Sequence, residues 1–289
     1  MLNEIRTLGF EYTELGHATR VSLLEGIQQA VAAGEIKISS LHNFCPVPPG
    51  MSGPAPDCYL PSSRSDRERA SAVRHTLRTI DCAASLGAKA VVLHLGRVEM
   101  RDYMPRLLRR YAGKGGFDLK FQRLREKAIE RRARKCQPYL DRVFRTLEAI
   151  VPRAKAAGVT LGMETRLGIE GIPSDDEAGE ILRRFGSDAV GYWHDVGHAQ
   201  VKENLGVTNH EALLGRFRGR TIGMHLQDVA PPAFDHRPPG LGTLDFKRLS
   251  RFVTDDMILV WEIHHEWKAE QIVGSVKRAQ ELLHSPVNA

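Results

Sequence analysis

Gly191-Tyr192-Trp193-His194-Asp195-Val196-Gly197-His198-Ala199 is the stretch whose reading decides the fold. The apolar approach over residues 188–193 reads as a buried strand that delivers Asp195 at its tip, with His198 three residues later as the chain turns. A carboxylate and an imidazole leaving one strand tip can both point into one cavity. Together they offer a divalent metal a hard oxygen and a borderline nitrogen. By itself D-x-x-H equally describes an Asp that caps the next helix and a His that bonds to it. The balance shifts because other strand-like runs of the chain end in the same way.

Outward from this stretch, strands are predicted over residues 12–16, 36–42, 88–94, 159–166, 221–228 and 257–264. Between them come amphipathic helices over 23–33, 71–86, 138–157, 175–185, 211–217 and 269–283, the first three closed by Gly34, Gly87 and Gly158. Residues 46–65 are rich in Pro, Gly and Ser and read as a long loop, which in a compact domain is more often functional than idle. Strand–helix alternation of this kind argues for parallel strands covered by helices.

The strands end in Glu14, His42, His94, Glu164, Asp195, His225 and Glu262. The steps 164→195 (31), 195→225 (30) and 225→262 (37) are each close to one βα unit. So many polar strand ends must converge somewhere, and in an α/β barrel they all meet at the C-terminal mouth. That favours a (β/α)8 barrel over an open doubly wound sheet. Seven strands are counted, and residues 1–8 cannot hold another strand plus helix. Either the first βα unit is lacking or truncated, or a further element hides after the His94 strand.

A length of 289 residues is normal for one such barrel, so a single domain over 1–289 is expected. Hydrophobic content of 42% and charged content of 26% are those of a globular chain, and no apolar run reaches the length of a membrane span. The start, Met1-Leu2-Asn3-Glu4-Ile5-Arg6, lacks the layout of a signal peptide. The four cysteines (Cys45, Cys58, Cys82, Cys136) form no C-x-x-C pair, which fits a cytoplasmic chain with reduced thiols. The net charge of +6 belongs to one segment: residues 97–135 carry 14 Lys/Arg against 5 Asp/Glu, leaving 27 against 30 elsewhere. This segment reads as a basic helical insertion after the His94 strand.

Taken singly, each strand-end residue has an ordinary account: His42 or His94 as a hydrogen-bonded core histidine, Glu14 or Glu164 paired with an arginine such as Arg166. Taken together they would be many buried ionisable groups without a common partner, each costing several kcal/mol, or roughly the whole stability of a domain. One or more metal ions at the barrel mouth removes that cost. Off the strand ends, His198 and the pair Asp235-His236 join the candidates.

The runs Leu41-His42-Asn43-Phe44-Cys45-Pro46, Val92-Leu93-His94-Leu95-Gly96, Met163-Glu164-Thr165-Arg166, Trp193-His194-Asp195-Val196-Gly197-His198, Gly223-Met224-His225-Leu226-Gln227-Asp228, Pro239-Gly240-Leu241-Gly242 and Trp261-Glu262 resemble the xylose-isomerase-like TIM barrel superfamily. The resemblance spans residues 8 to about 285 apart from the insertion, and it is specific for the superfamily but does not choose within it. In the sugar and sugar-phosphate epimerase branch it implies one divalent ion, usually manganese and sometimes magnesium, cobalt or zinc, held by Glu164, Asp195, His225 and Glu262. Glu164 and Glu262 would face opposite sides of a ketose and move a proton between neighbouring carbons, while the metal stabilises an ene-diolate. His198 and Arg166 would orient hydroxyls or phosphate, with Glu14 a further substrate-binding candidate.

In the endonuclease IV branch the resemblance implies up to three zinc ions, with His42, His94, His198, Asp235 and His236 as additional ligands. This chain departs there, because Asp235 and His236 are adjacent where that pattern separates them. Adjacent side chains on an extended segment point apart, which argues against a third shared ion. An inosose dehydratase-like lyase and a non-catalytic sugar-binding barrel are further alternatives. The expected partner is a small-molecule sugar or sugar phosphate. A homo-oligomer is possible, and no membrane contact is expected.

The arginines of residues 97–135 could line phosphates, including those of nucleic acid. They could also form a solvated helical face in which Glu126 and Glu130 pair with arginines at i,i+4. Aromatic residues there are few (Tyr103, Tyr111, Phe117, Phe121), so nucleic acid is the less favoured partner. Beyond the ligand set, His264 is expected to pack on the closing helix, Cys45 to be a small buried residue, and Gln227 and Asp228 to orient His225 or a neighbour. The reading is a metal-dependent isomerase or epimerase on a single barrel.

Overall fold

A computed structural model describes residues 2–51, 53–114 and 117–283. The ends of the expected domain (residues 1 and 284–289), position 52 of the long loop and positions 115–116 of the basic segment lie outside these. Two compact units divide the chain: Met1–Val98, Cys136–Glu164 and Asp176–Tyr192 make the first, and Glu99–Lys135, Thr165–Asp175 and Trp193–Ala289 the second. The strands are β1 (Tyr12–Leu15), β2 (Lys37–His42), β3 (Ala90–Leu93), β4 (Thr160–Glu164), β5 (Val190–Asp195), β6 (Thr221–Leu226), β7 (Asp228–Ala230), β8 (Phe234–Arg237) and β9 (Ile258–Trp261). A seven-stranded parallel sheet takes them in the order β1-β2-β3-β4-β5-β6-β9, while β7 and β8 pair with each other. These seven are the seven expected. Among the described residues no eighth strand joins the sheet.

In the first unit α1 (Leu2–Thr7), α2 (Leu24–Ala32) and α3 (Asp66–Ser85) come before β3. α3 starts five residues earlier than its apolar period predicts, because the Ser65 side chain caps it by accepting from the Glu68 N–H. β3 is buried along its whole length, as a strand covered on both faces should be. The α4 and α5 helices (Met104–Lys114 and Leu119–Ala133) belong to the second unit, and α6 (Gln137–Ala157) returns to the first. α6 ends where Gly158 takes φ +65°, a left-handed C-cap that Gly adopts at little cost. α7 (Asp175–Arg184) then leads to β5.

In the second unit α8 (Val196–Asn204) begins immediately after β5, and α9 (His210–Arg216) precedes β6. Gly223 of β6 has no side chain where the Trp193 ring lies; an added Cβ would collide with the indole. β6 stops at Leu226, so the single strand predicted over 221–228 is corrected. Asp228 opens the antiparallel β7–β8 hairpin, in register Asp228↔Arg237 and Ala230↔Phe234. Its buried carboxylate accepts from the N–H groups of Val229, Gly240, Gly242 and Leu244, at 2.7, 2.8, 2.9 and 3.0 Å. Those bonds tie the strand to the loop over residues 238–244 and turn it out of the sheet. α10 (Phe246–Ser250) and α11 (Ala269–Leu283) flank β9 in sequence. Residues 104–114 and 119–133 are helical, and Tyr103, Met104, Leu107 and Phe121 share one cluster with Val201 and Leu205 near the end of α8 and Val229 of β7.

Candidate metal centre

In the first unit, β2 carries His42 at its end and His94 follows β3 directly, both towards Glu164 at the end of β4. His42 Nδ1 is 3.0 Å from the Asn43 carbonyl oxygen, so that nitrogen carries a proton, and Nε2 lies 3.3 Å from Glu164 Oε2. His94 repeats the arrangement. Its Nδ1 meets Asp57 Oδ1 at 2.9 Å and its Nε2 lies 2.7 Å from the same Glu164 oxygen. The Nε2 atoms of both rings thus converge on one buried carboxylate oxygen. A proton or a cation shared among these three groups makes the arrangement favourable. The ligand atoms of His42, His94 and Glu164 all lie within 4.8 Å of one another. Sequence reasoning missed two neighbours here. His17 sets its ring edge-on to His42 at 4.8 Å, and Asp57 orients His94 from the long loop, as an outer carboxylate orients a metal-bound histidine.

In the second unit, Asp195 caps the helix that follows it and also faces an imidazole. Oδ1 caps α8 by accepting the His198 N–H at 2.7 Å, and Oδ2 faces His225 Nδ1 at 3.7 Å. His225 Nδ1 is in turn 3.2 Å from Glu262 Oε2, and the Glu262 N–H continues the β6–β9 ladder by donating to Leu226 O at 3.0 Å. Asp195 and His225 are fully buried while the Glu262 side chain keeps 31% of its exposure, so Glu262 is the one that can meet an incoming molecule. His198 Nδ1 lies 2.8 Å from Thr165 O, which holds the ring beside Asp195.

Asp235 and His236 depart from expectation. Adjacent residues on an extended strand would point apart, but His236 takes φ +54° and its side chain turns back, Nδ1 reaching Asp235 Oδ1 at 3.1 Å. Gln227 holds that backbone by accepting the His236 N–H. His236 Nε2 is 3.8 Å from Glu262 Oε1. Burial disfavours charge on this imidazole, but Asp235 and Glu262 outweigh it and push its pKa up to about 10.

The remaining candidates lie as follows. Glu14 on β1 accepts from the Ser40 hydroxyl at 2.7 Å. Arg166, beyond β4, packs its stem against Gly171, where an added Cβ would crowd it. Cys45 is fully buried, and its hydrogen bond with Cys82, together with burial, pushes the thiol pKa up, so it is an interior thiol. The expected packing of His264 on the closing helix is corrected: its side chain is 50% exposed and, with Phe234, Arg237 and Trp267, lines a recess of about 230 Å³ beside His236. Gln227 bonds to Asp195 and His236 rather than to His225, and Asp228 is committed to the loop amides.

A family model described as a xylose isomerase-like TIM barrel matches residues 2–284. The chain belongs to that family. No curated protein matches it. Among solved structures, a D-tagatose 3-epimerase-like protein superposes with TM-score 0.67 at 19% identity, covering 97% of this chain and 91% of that one. An L-ribulose 3-epimerase gives TM-score 0.68 at 16% identity, with 99% and 92% covered. The IolI protein with a bound zinc atom gives 0.63 at 15%, with 98% and 91% covered. At these identities the likeness establishes the shared fold. No helix among the described residues is long and apolar enough to cross a membrane. The mixed oxygen and nitrogen donors of the two clusters could hold a metal ion.

Proposed function

We propose that this xylose isomerase-like barrel is a divalent-metal-dependent isomerase or epimerase acting on a sugar or sugar phosphate. Glu164, Asp195, His225 and Glu262 share one ion in this reading. The carrying observation is that these four residues lie at or next to the C-terminal ends of β4, β5, β6 and β9, consecutive in the sheet order, and that two of them are glutamates placed beside imidazoles. When bound, the ion polarises the carbonyl and hydroxyl oxygens of the sugar.

The chain's own residues supply the rest. Glu164 and Glu262 exchange a proton with neighbouring carbons, one from each face of the ketose. Glu164, buried against His42 and His94, keeps its carboxylate away from water, and Glu262 exchanges protons with the charged His236. Asp195 acts as a ligand only, since Gln227 and the α8 N-terminus occupy its other lone pairs. His198, Arg166 and Glu14 orient substrate hydroxyls or phosphate. Metal analysis of protein purified without chelator tests the reading. One ion per chain is expected, and full sugar turnover by exhaustively chelated protein would refute it.

A second reading is favoured by the His42–His94–Glu164 group and by the meeting of Asp235 with His236, which supplies donors for further ions. It is a multi-zinc phosphodiesterase acting on abasic DNA. Three zinc ions per chain together with incision of abasic DNA would establish it over the first.

A further inference from the structure

The positive charge of residues 97–135 is not balanced by i,i+4 pairing from Glu126 or Glu130. Among the described residues neither Glu126 nor Glu130 makes an ion pair. Asp118 grips Arg110 with two hydrogen bonds of 2.9 and 2.8 Å while capping α5. The guanidinium groups of Arg106 and Arg109 have no hydrogen-bond or ion-pair partner among the described residues. Some exposed arginines elsewhere are paired, as Arg153 is with Asp81 at 2.6 Å.

These unpaired charges converge on one place. Residues 106, 109 and 110 share a face of α4, and between that face and Leu124 of α5 is an open groove of about 350 Å³ that Gly113 leaves open to the backbone. Both helices are anchored from behind by the cluster of Leu107, Phe121, Val201 and Leu205, so the arginines stand on a fixed support. Planar guanidinium forks match the oxygens of a phosphate bidentately, and partial neutralisation of Arg110 alone leaves the recess strongly cationic.

We propose that this cleft binds the phosphate group of a small phosphorylated molecule. The recess has the volume of one such molecule. The segment's aromatic rings do not offer a base-stacking platform, because Tyr111, Phe117 and Phe121 are packed on one another at 5.1–6.2 Å and Phe121 is fully buried. The inference stands independently of the metal-dependent function proposed above.

The test is calorimetric titration of the full chain with inorganic pyrophosphate at physiological ionic strength. It is run in the Asp195→Asn background so that binding to a metal ion does not contribute. Saturable one-to-one binding is expected, weakened about tenfold or more in the Arg106→Ala/Arg109→Ala double variant. Arg131→Ala/Arg134→Ala, which removes the same charge from the exposed end of the segment, should leave it unchanged. Equal weakening in both double variants, or no saturable binding, would overturn the proposal. Tight binding of a single-stranded oligonucleotide that pyrophosphate does not displace would overturn it in favour of a nucleic-acid surface.

Discussion

Gln227 donates from its Nε2 to both carboxylate oxygens of Asp195, at 3.1 Å each. Its own oxygen takes the N–H of His236, the residue held at positive φ. One fully buried amide therefore fixes the orientation of a candidate ligand and the backbone that brings His236 to Glu262. Outer-shell partners of this kind are worth about 10–100-fold in metal affinity.

Gln227→Leu should accordingly weaken metal binding by about 10–100-fold while the chain stays folded. Titration with zinc against a competing chelator measures it. An unchanged affinity would show that Asp195 needs no such support.

Asp195→Asn should lose the ion with little cost to the fold, because asparagine still accepts the His198 N–H that starts α8. Metal content and circular dichroism on the same sample check both halves. Metal retained at the wild-type level would remove Asp195 from the ligand set.

Asp228 is buried under four backbone N–H groups, so Asp228→Ala leaves several donors without their charged partner. A loss of about 2–4 kcal/mol in urea unfolding is expected. Asp228→Asn, which keeps an acceptor oxygen, should lose less, and equal losses would argue against the amide cradle.

His194 and His210 meet Nε2 to Nε2 at 2.8 Å in the interior. Burial is the main cause that pushes both pKa values down, that of His210 to about 4, with Arg248 adding to it. Both stay neutral in the folded state, whereas the unfolded chain takes up protons near pH 6.5. Their contribution is therefore complete above about pH 6.5 and is lost as pH falls toward 4, by ~1.4 kcal/mol per pH unit for each imidazole. The urea midpoint should drop between pH 7 and pH 5, and His210→Gln should flatten part of the drop. A midpoint equal at both pH values would contradict this.

The strands of the sheet were legible because their apolar runs end in residues that burial alone does not explain. Ala90–Leu93, wholly buried and followed by His94, is the clearest case. The start of α3 was missed although Ser65 precedes Glu68 at capping spacing, because the apolar period begins later. The β7–β8 hairpin was not legible. Gln227 and Asp228 extend the run of β6 without a break, and nothing local shows that loop amides consume the Asp228 carboxylate. His236 carried no local signal either, because its left-handed backbone is held by an amide nine residues earlier in the chain. Asp57 belongs to an irregular loop, where periodicity carries no information about which side chain turns inward.

Solvent-deuterium incorporation tests the central claim most directly. The metal-loaded protein, incubated in heavy water with ketoses and ketose phosphates, is predicted to exchange the hydrogen on the carbon beside the carbonyl. Both Glu164→Gln and Glu262→Gln should abolish the exchange. Incision of abasic DNA with no exchange into any sugar tried, or exchange that survives both substitutions, would contradict the account.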